Sequence, residues 1–178
     1  MSDPGVAVPQ AVLDKLAIRE VLERYMRHND DRAADRIAEL FDEDAVFQVM
    51  GRLVVGREAI REFFGGGGPQ PRPWTEPGEL LKQPPSVHLS GNPVIDVDGD
   101  TATSELDFLV VNRGDDGRAR SRLVGRYRDR LRRLDDGRWV ITSRVGVSVA
   151  GPGDAGTDAE WRQLLAGLPE EERTRYLT

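Results

Sequence analysis

The sequence predicts an α+β fold in which helices cover one face of a curved antiparallel sheet. In three segments between residues 12 and 64, apolar residues recur at three- and four-residue spacing, which is typical of amphipathic helices and short connections. After residue 85 the period changes to two, and Asp-Gly turns separate long strands. Helices packed on such a sheet leave a cone-shaped apolar cavity, and cavities of this kind are the usual ligand sites.

The composition argues against several partners and chemistries. With 25 Lys and Arg against 31 Asp and Glu, the net charge is −6, so nucleic acid is not expected as a partner. The chain has no cysteine, which excludes disulfides and thiolate chemistry. Because there are only two histidines, His28 and His88, no metal or other cofactor is expected. Without a signal-peptide pattern or a run of about 18 apolar residues, a cytoplasmic protein with no membrane partner is predicted.

The first helix is predicted over residues 12–29. Its apolar stripe consists of Ile18, Val21, Leu22, Tyr25 and Met26. The break at residues 29–31 supplies capping side chains for a second, shorter helix over residues 33–41. A hairpin around Gly51 and a third helix over residues 56–64 complete this part of the chain.

Residues 65–85 are predicted to form a long loop, because they hold five Gly and six Pro in 21 residues. A loop of this length is either a lid over a pocket or an ordinary insertion. The domain is predicted to span residues 12–149, after a flexible N-terminus at residues 1–11. Residues 150–178 are interpreted as a linker followed by a short helix.

The strands after residue 85 are predicted to form an antiparallel meander with one apolar and one charged face. The apolar face consists of Ala102, Leu106, Phe108, Val110, Leu123, Gly125, Tyr127, Leu131, Trp139, Ile141, Val145 and Val147. The charged face carries Arg120, Arg122, Arg126, Arg128, Arg130, Arg132 and Arg144. An arginine row can bind nucleic acid, but Glu105, placed across from Arg126, and Asp107 favour an ordinary solvated face.

Five segments resemble the SnoaL-like polyketide cyclase family of the nuclear transport factor 2-like superfamily. They are LAIREVLERYMRHND at residues 16–30, IAELFDEDAVF at 37–47, GREAIREFF at 56–64, HLSGNPVIDVDGDTAT at 88–103 and GRYRDRLRRLDDGRWVI at 125–141. The resemblance implies a cone-shaped α+β barrel, a homodimer and a small hydrophobic ligand, and it extends to scytalone dehydratase and ketosteroid isomerase. Because the superfamily also holds non-catalytic members, function has to be argued from the site.

Asp30 and His88 are the leading candidates for proton transfer. Asp30 lies four residues after Met26 and continues the buried stripe, where it either exchanges protons or caps the next helix. His88 matches the position at which scytalone dehydratase-like proteins carry a pocket histidine, which implies a base. Strict alternation back from Ile95 puts His88 on the outer face, so only a bulge at residues 91–93 turns it inward.

Tyr25 on the helix stripe and Tyr127 on the apolar sheet face are candidate donors to a developing oxyanion. Each also fits a core tyrosine with one hydrogen bond. The expected pocket residues are Phe41, Phe47, Phe63, Phe108, Asn112, Leu123 and Trp139. Asn112 falls where scytalone dehydratase-like proteins place a second histidine, and this departure weighs against a scytalone-type mechanism. His28 is expected on the exposed face of the first helix.

Together these residues predict a cofactor-independent dehydratase, isomerase or cyclase that acts on a small hydrophobic carbonyl compound, such as a polyketide- or steroid-like molecule. Asp30 and His88 would move the proton while a tyrosine stabilises the oxyanion. The alternative is a non-catalytic protein that binds a hydrophobic ligand or serves as an accessory subunit. In that case Asp30 would cap a helix and His88 would face outwards.

Overall fold

Three helices lie in the part of the chain before the long strands. The computed structural model describes residues 8–49, 51–65 and 86–150. The helices are α1 at Gln10–Asp30, α2 at Ala34–Ala38 and α3 at Arg57–Gly65. The predicted lid within residues 65–85, apart from Gly65, and the predicted helix after residue 150 lie outside the described residues. No helix in the described part of the chain is long and apolar enough to cross a membrane.

Six strands form one curved, mixed sheet against which the helices pack. They are β1 at Phe41–Val49, β2 at Arg52–Val55, β3 at Ser86–Asp98, β4 at Thr101–Arg113, β5 at Ala119–Arg133 and β6 at Trp139–Ala150. The strand order is β2-β1-β6-β5-β4-β3, and every neighbouring pair is antiparallel except β1 and β6. This confirms the predicted α+β class, although the sheet does not close into a barrel in the described residues.

Helix α1 packs on the inner face of the sheet through the predicted stripe. The side chains of Ile18, Leu22 and Tyr25 are almost completely buried there. At the N-terminal end of α1, Asp14 accepts hydrogen bonds from Arg133 at 2.9 Å and from the Trp139 indole at 3.3 Å. Helix α1 is therefore attached to the sheet by polar as well as apolar contacts.

The second helix is shorter than predicted, because Phe41 begins strand β1. Phe41 pairs in parallel register with Ile141, whose backbone N–H donates to the Leu40 carbonyl at 2.8 Å. Pairing with β6 thus outweighs the helical spacing of the local sequence. The predicted caps are also wrong, since α2 begins after Ala33 and has no side-chain cap.

The predicted faces of β6 are reversed beyond Ile141. Leu131 pairs with Ile141 but Arg130 pairs with Ser143, so β6 holds one extra residue at this point. A bulge of one residue exchanges the two faces of a strand. Arg144 therefore points into the core and is completely buried, whereas Val145 and Val147 lie on the outer face.

The outer face of the sheet carries part of the predicted arginine row, without Arg144, and Arg126 and Arg128 in it pair with acids. The register differs by two residues from the prediction: Glu105 lies across from Arg128, and Asp107 lies across from Arg126. Both arginines donate hydrogen bonds to those carboxylates, at 3.1 Å and 2.7 Å respectively. These side chains are largely exposed, so each pair adds little to stability.

Gly125 on the inner face of β5 makes room for an aromatic stack. The Phe108 ring lies over this glycine and stacks on Tyr127 with 4.4 Å between ring centroids. A Cβ atom at Gly125 would lie 2.4 Å from the Phe108 ring and 2.6 Å from the Val147 carbonyl oxygen. The position therefore accepts no side chain unless the stack or the backbone moves.

We expect the substitution Gly125→Ala to lower the free energy of unfolding by about 1–3 kcal/mol, because the methyl group overpacks the core. Urea unfolding followed by circular dichroism measures the change. Gly91→Ala is the matched control, since a Cβ there meets nothing within 4 Å. Equal midpoints for the two variants would contradict the packing argument.

Candidate functional site

The last residue of α1 and the edge strand β3 bring Asp30 and His88 together. His88 Nδ1 lies 2.7 Å from Asp30 Oδ1. The backbone N–H of His88 also donates to the same carboxylate, at 2.9 Å to Oδ1 and 3.1 Å to Oδ2. The side chains are mostly buried, with 17% of His88 and 10% of Asp30 exposed. The carboxylate therefore holds both the backbone and the ring of His88.

A bulge in β3 turns His88 towards the inner face of the sheet. The register shifts between Gly91 and Val94, where β3 contains one residue more than β4, and Asn92 has a φ of 52°. Beyond the shift His88 pairs with the buried Val110, so both side chains lie on the inner face. The bulge required at residues 91–93 is present.

The contacts of the two ring nitrogens define the tautomer of neutral His88. Because a carboxylate can only accept a hydrogen bond, Nδ1 carries the proton and Nε2 keeps a lone pair. The Asn29 side-chain Nδ2 lies 3.4 Å from Nε2. An imidazole oriented in this way is able to accept a proton at Nε2.

Two buried polar atoms lie on the inner face at the same end of the sheet. Asn112 Oδ1 and Ser148 Oγ have no hydrogen-bond partner within the described residues. Asn112 is two residues beyond Val110, the partner of His88, and Ser148 pairs with Gly125 in the next row. Buried polar atoms are normally satisfied, so unpaired ones on the same inner face as His88 suit contact with a polar ligand.

Most predicted pocket residues lie in the hydrophobic core. Phe41, Phe47, Phe108 and Trp139 are buried, Phe63 and Leu123 are partly buried, and Asn112 is half-buried. Leu123 pairs with Val110 beside His88, whereas Trp139 lies at the opposite end of α1 from Asp30. The expected pocket set is therefore divided between the His88 end and the far end of the core.

A second polar centre lies on the inner face and was missed by the sequence analysis. Arg144 donates to Asp129 through Nε at 2.7 Å and through the second guanidinium nitrogen at 2.8 Å. Ser104 donates to the same carboxylate at 3.0 Å. All three side chains are buried. Asp129 could have indicated this centre in the sequence, because strict alternation places this acid on the apolar face of β5.

Both candidate tyrosines belong to the Arg144 centre. The guanidinium carbon lies 4.0 Å from the centroid of the Tyr25 ring and 4.6 Å from that of Tyr127, which gives two cation–π contacts. Burial raises the pKa of Tyr25 well above its ordinary value, and the neighbouring Tyr127 raises it further. Burial likewise raises the pKa of Tyr127. The structure thus groups the tyrosines with Arg144, and within the described residues the hydrogen bonds of Asp30 and His88 do not include them.

His28 differs from its predicted position on the exposed helix face. Its ring is half-buried and its Nδ1 atom is buried without a partner in the described residues. Burial lowers the pKa of His28, and the charge of Arg36 lowers it further. In the described part of the chain His28 has no side-chain hydrogen bond with the Asp30–His88 pair.

Comparison with models of known families shows which family the chain belongs to. A family model described as SnoaL-like domain matches residues 10–145. The chain belongs to the SnoaL-like family. This confirms the resemblance found in the sequence, and the family includes polyketide cyclases and isomerases. A search of the curated proteins found no match.

Solved structures share the SnoaL-like fold. A nuclear transport factor 2-like protein with a cystatin-like fold from Novosphingobium aromaticivorans is 27% identical, with 85% of this chain and 90% of that chain covered and a TM-score of 0.66. A protein of unknown function from Mycobacterium tuberculosis is 25% identical, with 86% of this chain and 93% of that chain covered and a TM-score of 0.64. A protein named as a candidate aromatic ring hydroxylase from N. aromaticivorans is 27% identical, with 81% of this chain and 93% of that chain covered and a TM-score of 0.59.

We expect the substitution Asp129→Asn to lower the free energy of unfolding by about 3–5 kcal/mol, because it leaves the buried Arg144 charge uncompensated. Chemical unfolding measures this loss. Glu105→Gln is the control, since it weakens an exposed arginine contact and should leave the midpoint nearly unchanged. A similar midpoint for both variants would show that the buried pair is not needed for stability.

The raised pKa values of Tyr25 and Tyr127 predict a loss of stability in alkali. Both tyrosines favour the folded protein below the ordinary tyrosine pKa of about 10, and this contribution is lost as the pH rises above it. Tyrosinate absorbance and circular dichroism, recorded in parallel, should show the two rings ionising only as the protein unfolds. Tyr25→Phe should remove one ring from that step. Complete tyrosine ionisation of a folded protein near pH 10 would contradict this expectation.

Proposed function

We propose that this SnoaL-like protein is a cofactor-independent acid–base catalyst that moves a proton on a small hydrophobic carbonyl compound. The observation that carries the proposal is the Asp30–His88 pair, in which the carboxylate lies 2.7 Å from Nδ1 and the unprotonated Nε2 makes a long contact of 3.4 Å with the Asn29 amide. A carboxylate that orients an imidazole also stabilises the imidazolium formed when the ring takes a proton. Asp30 is therefore the positioning residue and His88 the base.

The proposed step begins at a carbon next to the carbonyl group. His88 Nε2 takes a proton from that carbon, the electrons of the C–H bond form a C=C bond, and the carbonyl oxygen becomes an enolate. The proton on Nε2 then passes to a leaving hydroxyl group in a dehydration or to another carbon in an isomerisation. In a cyclisation the enolate carbon attacks a second carbonyl, and the new alkoxide receives the proton.

The surroundings of His88 favour an apolar substrate with a few polar groups. Val110 and Leu123 continue the row of His88 across the sheet, and the Phe108 ring lies in the adjacent row. The unpaired atoms Asn112 Oδ1 and Ser148 Oγ suit the hydroxyl or carbonyl groups of a polyketide- or steroid-like molecule. Apolar walls would exclude water and strengthen each polar contact.

The family supports this assignment at the level of chemistry. SnoaL-like proteins include polyketide cyclases and isomerases, whose reactions begin with proton transfer at carbon. One structural neighbour is named as a candidate aromatic ring hydroxylase, which is also a name for an activity on ring compounds. Both names belong to other proteins, so the proposal rests on the Asp30–His88 geometry.

Exchange of carbon-bound hydrogen for deuterium tests the proposal without knowledge of the natural substrate. We expect the protein to accelerate the loss of the α-proton signals of 2-tetralone in D2O, followed by proton NMR. His88→Gln should reduce the enzymatic rate by about 10²–10⁴-fold, which is the usual contribution of a positioned base. Asp30→Asn should also slow exchange, because it removes the charge that stabilises the imidazolium.

His28→Gln is the matched control, because it removes the other histidine while leaving the Asp30–His88 contacts intact. We expect its exchange rate to equal that of the unmodified protein. Circular dichroism of each variant checks that the fold is retained. If the unmodified protein binds 2-tetralone without accelerating exchange, or if His88→Gln exchanges at the full rate, the catalytic proposal is wrong and a ligand-binding role takes its place.

A further inference from the structure

The side chain of Asn29 lies against the proposed base but has no part in the step described above. Its Nδ2 atom is 3.4 Å from His88 Nε2, and its residue is half-buried beside Asp30 at the end of α1. The ring nitrogen accepts and the amide nitrogen donates, so the two atoms present a base and a hydrogen-bond donor side by side.

We propose that the Asn29 amide donates a hydrogen bond to the carbonyl oxygen of the substrate while His88 Nε2 takes the proton from the adjacent carbon. This inference rests on the proposed function and adds to it a catalytic residue and a choice of reacting position. The substrate class is narrowed to ketones or enones whose acidic C–H group is bonded directly to the carbonyl carbon.

The distance between Asn29 Nδ2 and His88 Nε2 favours reaction at the carbon bonded to the carbonyl group. In a ketone the α-carbon and the carbonyl oxygen are about 2.4 Å apart, as two bonds of about 1.5 and 1.2 Å at a trigonal carbon require. Two groups 3.4 Å apart can contact such neighbouring atoms at once. The γ-carbon of an enone is two further bonds from the oxygen, so the same pair cannot reach both atoms equally well.

The amide of Asn29 is free to change partners, while its backbone is fixed. A donor–acceptor distance of 3.4 Å is longer than that of a normal hydrogen bond, so a substrate oxygen can replace Nε2 at little cost. The Asn29 carbonyl accepts from the Arg32 N–H at 3.1 Å, and the His28 carbonyl accepts from the Ala33 N–H at 2.8 Å. Because the backbone is fixed, only the side chain of Asn29 has to turn towards the substrate oxygen when negative charge develops there.

Asn29 fits the oxyanion role better than the two tyrosines proposed from the sequence. Tyr25 and Tyr127 contact one another and the buried Arg144, and both are almost completely buried. The Asn29 amide, in contrast, lies against the His88 ring. The negative charge on the substrate oxygen would therefore be stabilised by a hydrogen bond from the Asn29 amide N–H. The proton would stay on His88 Nε2 until it is returned to the substrate.

Cyclohex-2-enone tests the inference because it carries both kinds of proton in one molecule. Proton NMR in D2O should show enzymatic exchange at the sp3 carbon beside the carbonyl in preference to the γ-carbon. Asn29→Ala should lower kcat for the first position by about a hundredfold, the usual effect of losing one oxyanion donor, with a smaller change in KM. Asn29→Ser should restore part of the rate, and Arg27→Ala, on the exposed face of the same turn, should behave like the unmodified protein.

Nitrogen NMR of the histidine rings separates a catalytic role from a structural one. In Asn29→Ala the Nδ1–H tautomer of His88 should persist, because Asp30 still holds it. If Asn29→Ala exchanges at the full rate while His88→Gln is inactive, the Asn29 inference fails and the acid–base proposal stands. If the Asn29→Ala variant loses the Nδ1–H tautomer, Asn29 only positions the ring and the inference is wrong. Full activity of His88→Gln would instead overturn the proposed function itself.

Discussion

One extra residue in β3 determines whether this protein has a buried acid–base pair. The bulge between Gly91 and Val94 shifts the register against β4, and every side chain on one side of it changes face. With the bulge, Ile95 and His88 both lie on the inner side of the sheet. Without it, the ring of His88 would point away from α1 and would not contact the carboxylate of Asp30.

A second bulge, in β6, has the same effect on Arg144. It places the guanidinium group opposite Asp129 in the core, where the group also contacts the rings of Tyr25 and Tyr127. The two irregularities therefore create two polar centres on one apolar face. In the Arg144 centre two hydrogen bonds join the guanidinium to Asp129, and the remaining Arg144 nitrogen has no partner in the described residues. In the Asp30–His88 pair one ring nitrogen contacts the carboxylate, and the other makes a long contact of 3.4 Å with the Asn29 amide.

The sequence predicted much of the fold but less of the site. The period of the apolar residues identified α1 and the long strands, because burial on one face imposes that period directly. Alternation failed at Arg144, because no local pattern marks the extra residue in β6. For His88 the bulge could be anticipated only from Gly91, Pro93 and the family resemblance. Asn29 was interpreted as part of a helix break, since its approach to His88 depends on contacts between distant segments.

The backbone N–H of His88 makes the attachment of α1 to β3 independent of the imidazole ring. Asp30 accepts from this main-chain donor at 2.9 Å, and any residue other than proline at position 88 would supply the same N–H. A protein of this fold with an apolar residue at position 88 would therefore keep the main-chain hydrogen bond that joins α1 to β3. On this scaffold the proposed catalyst and a simple carrier of hydrophobic molecules would differ by one side chain and share the same attachment.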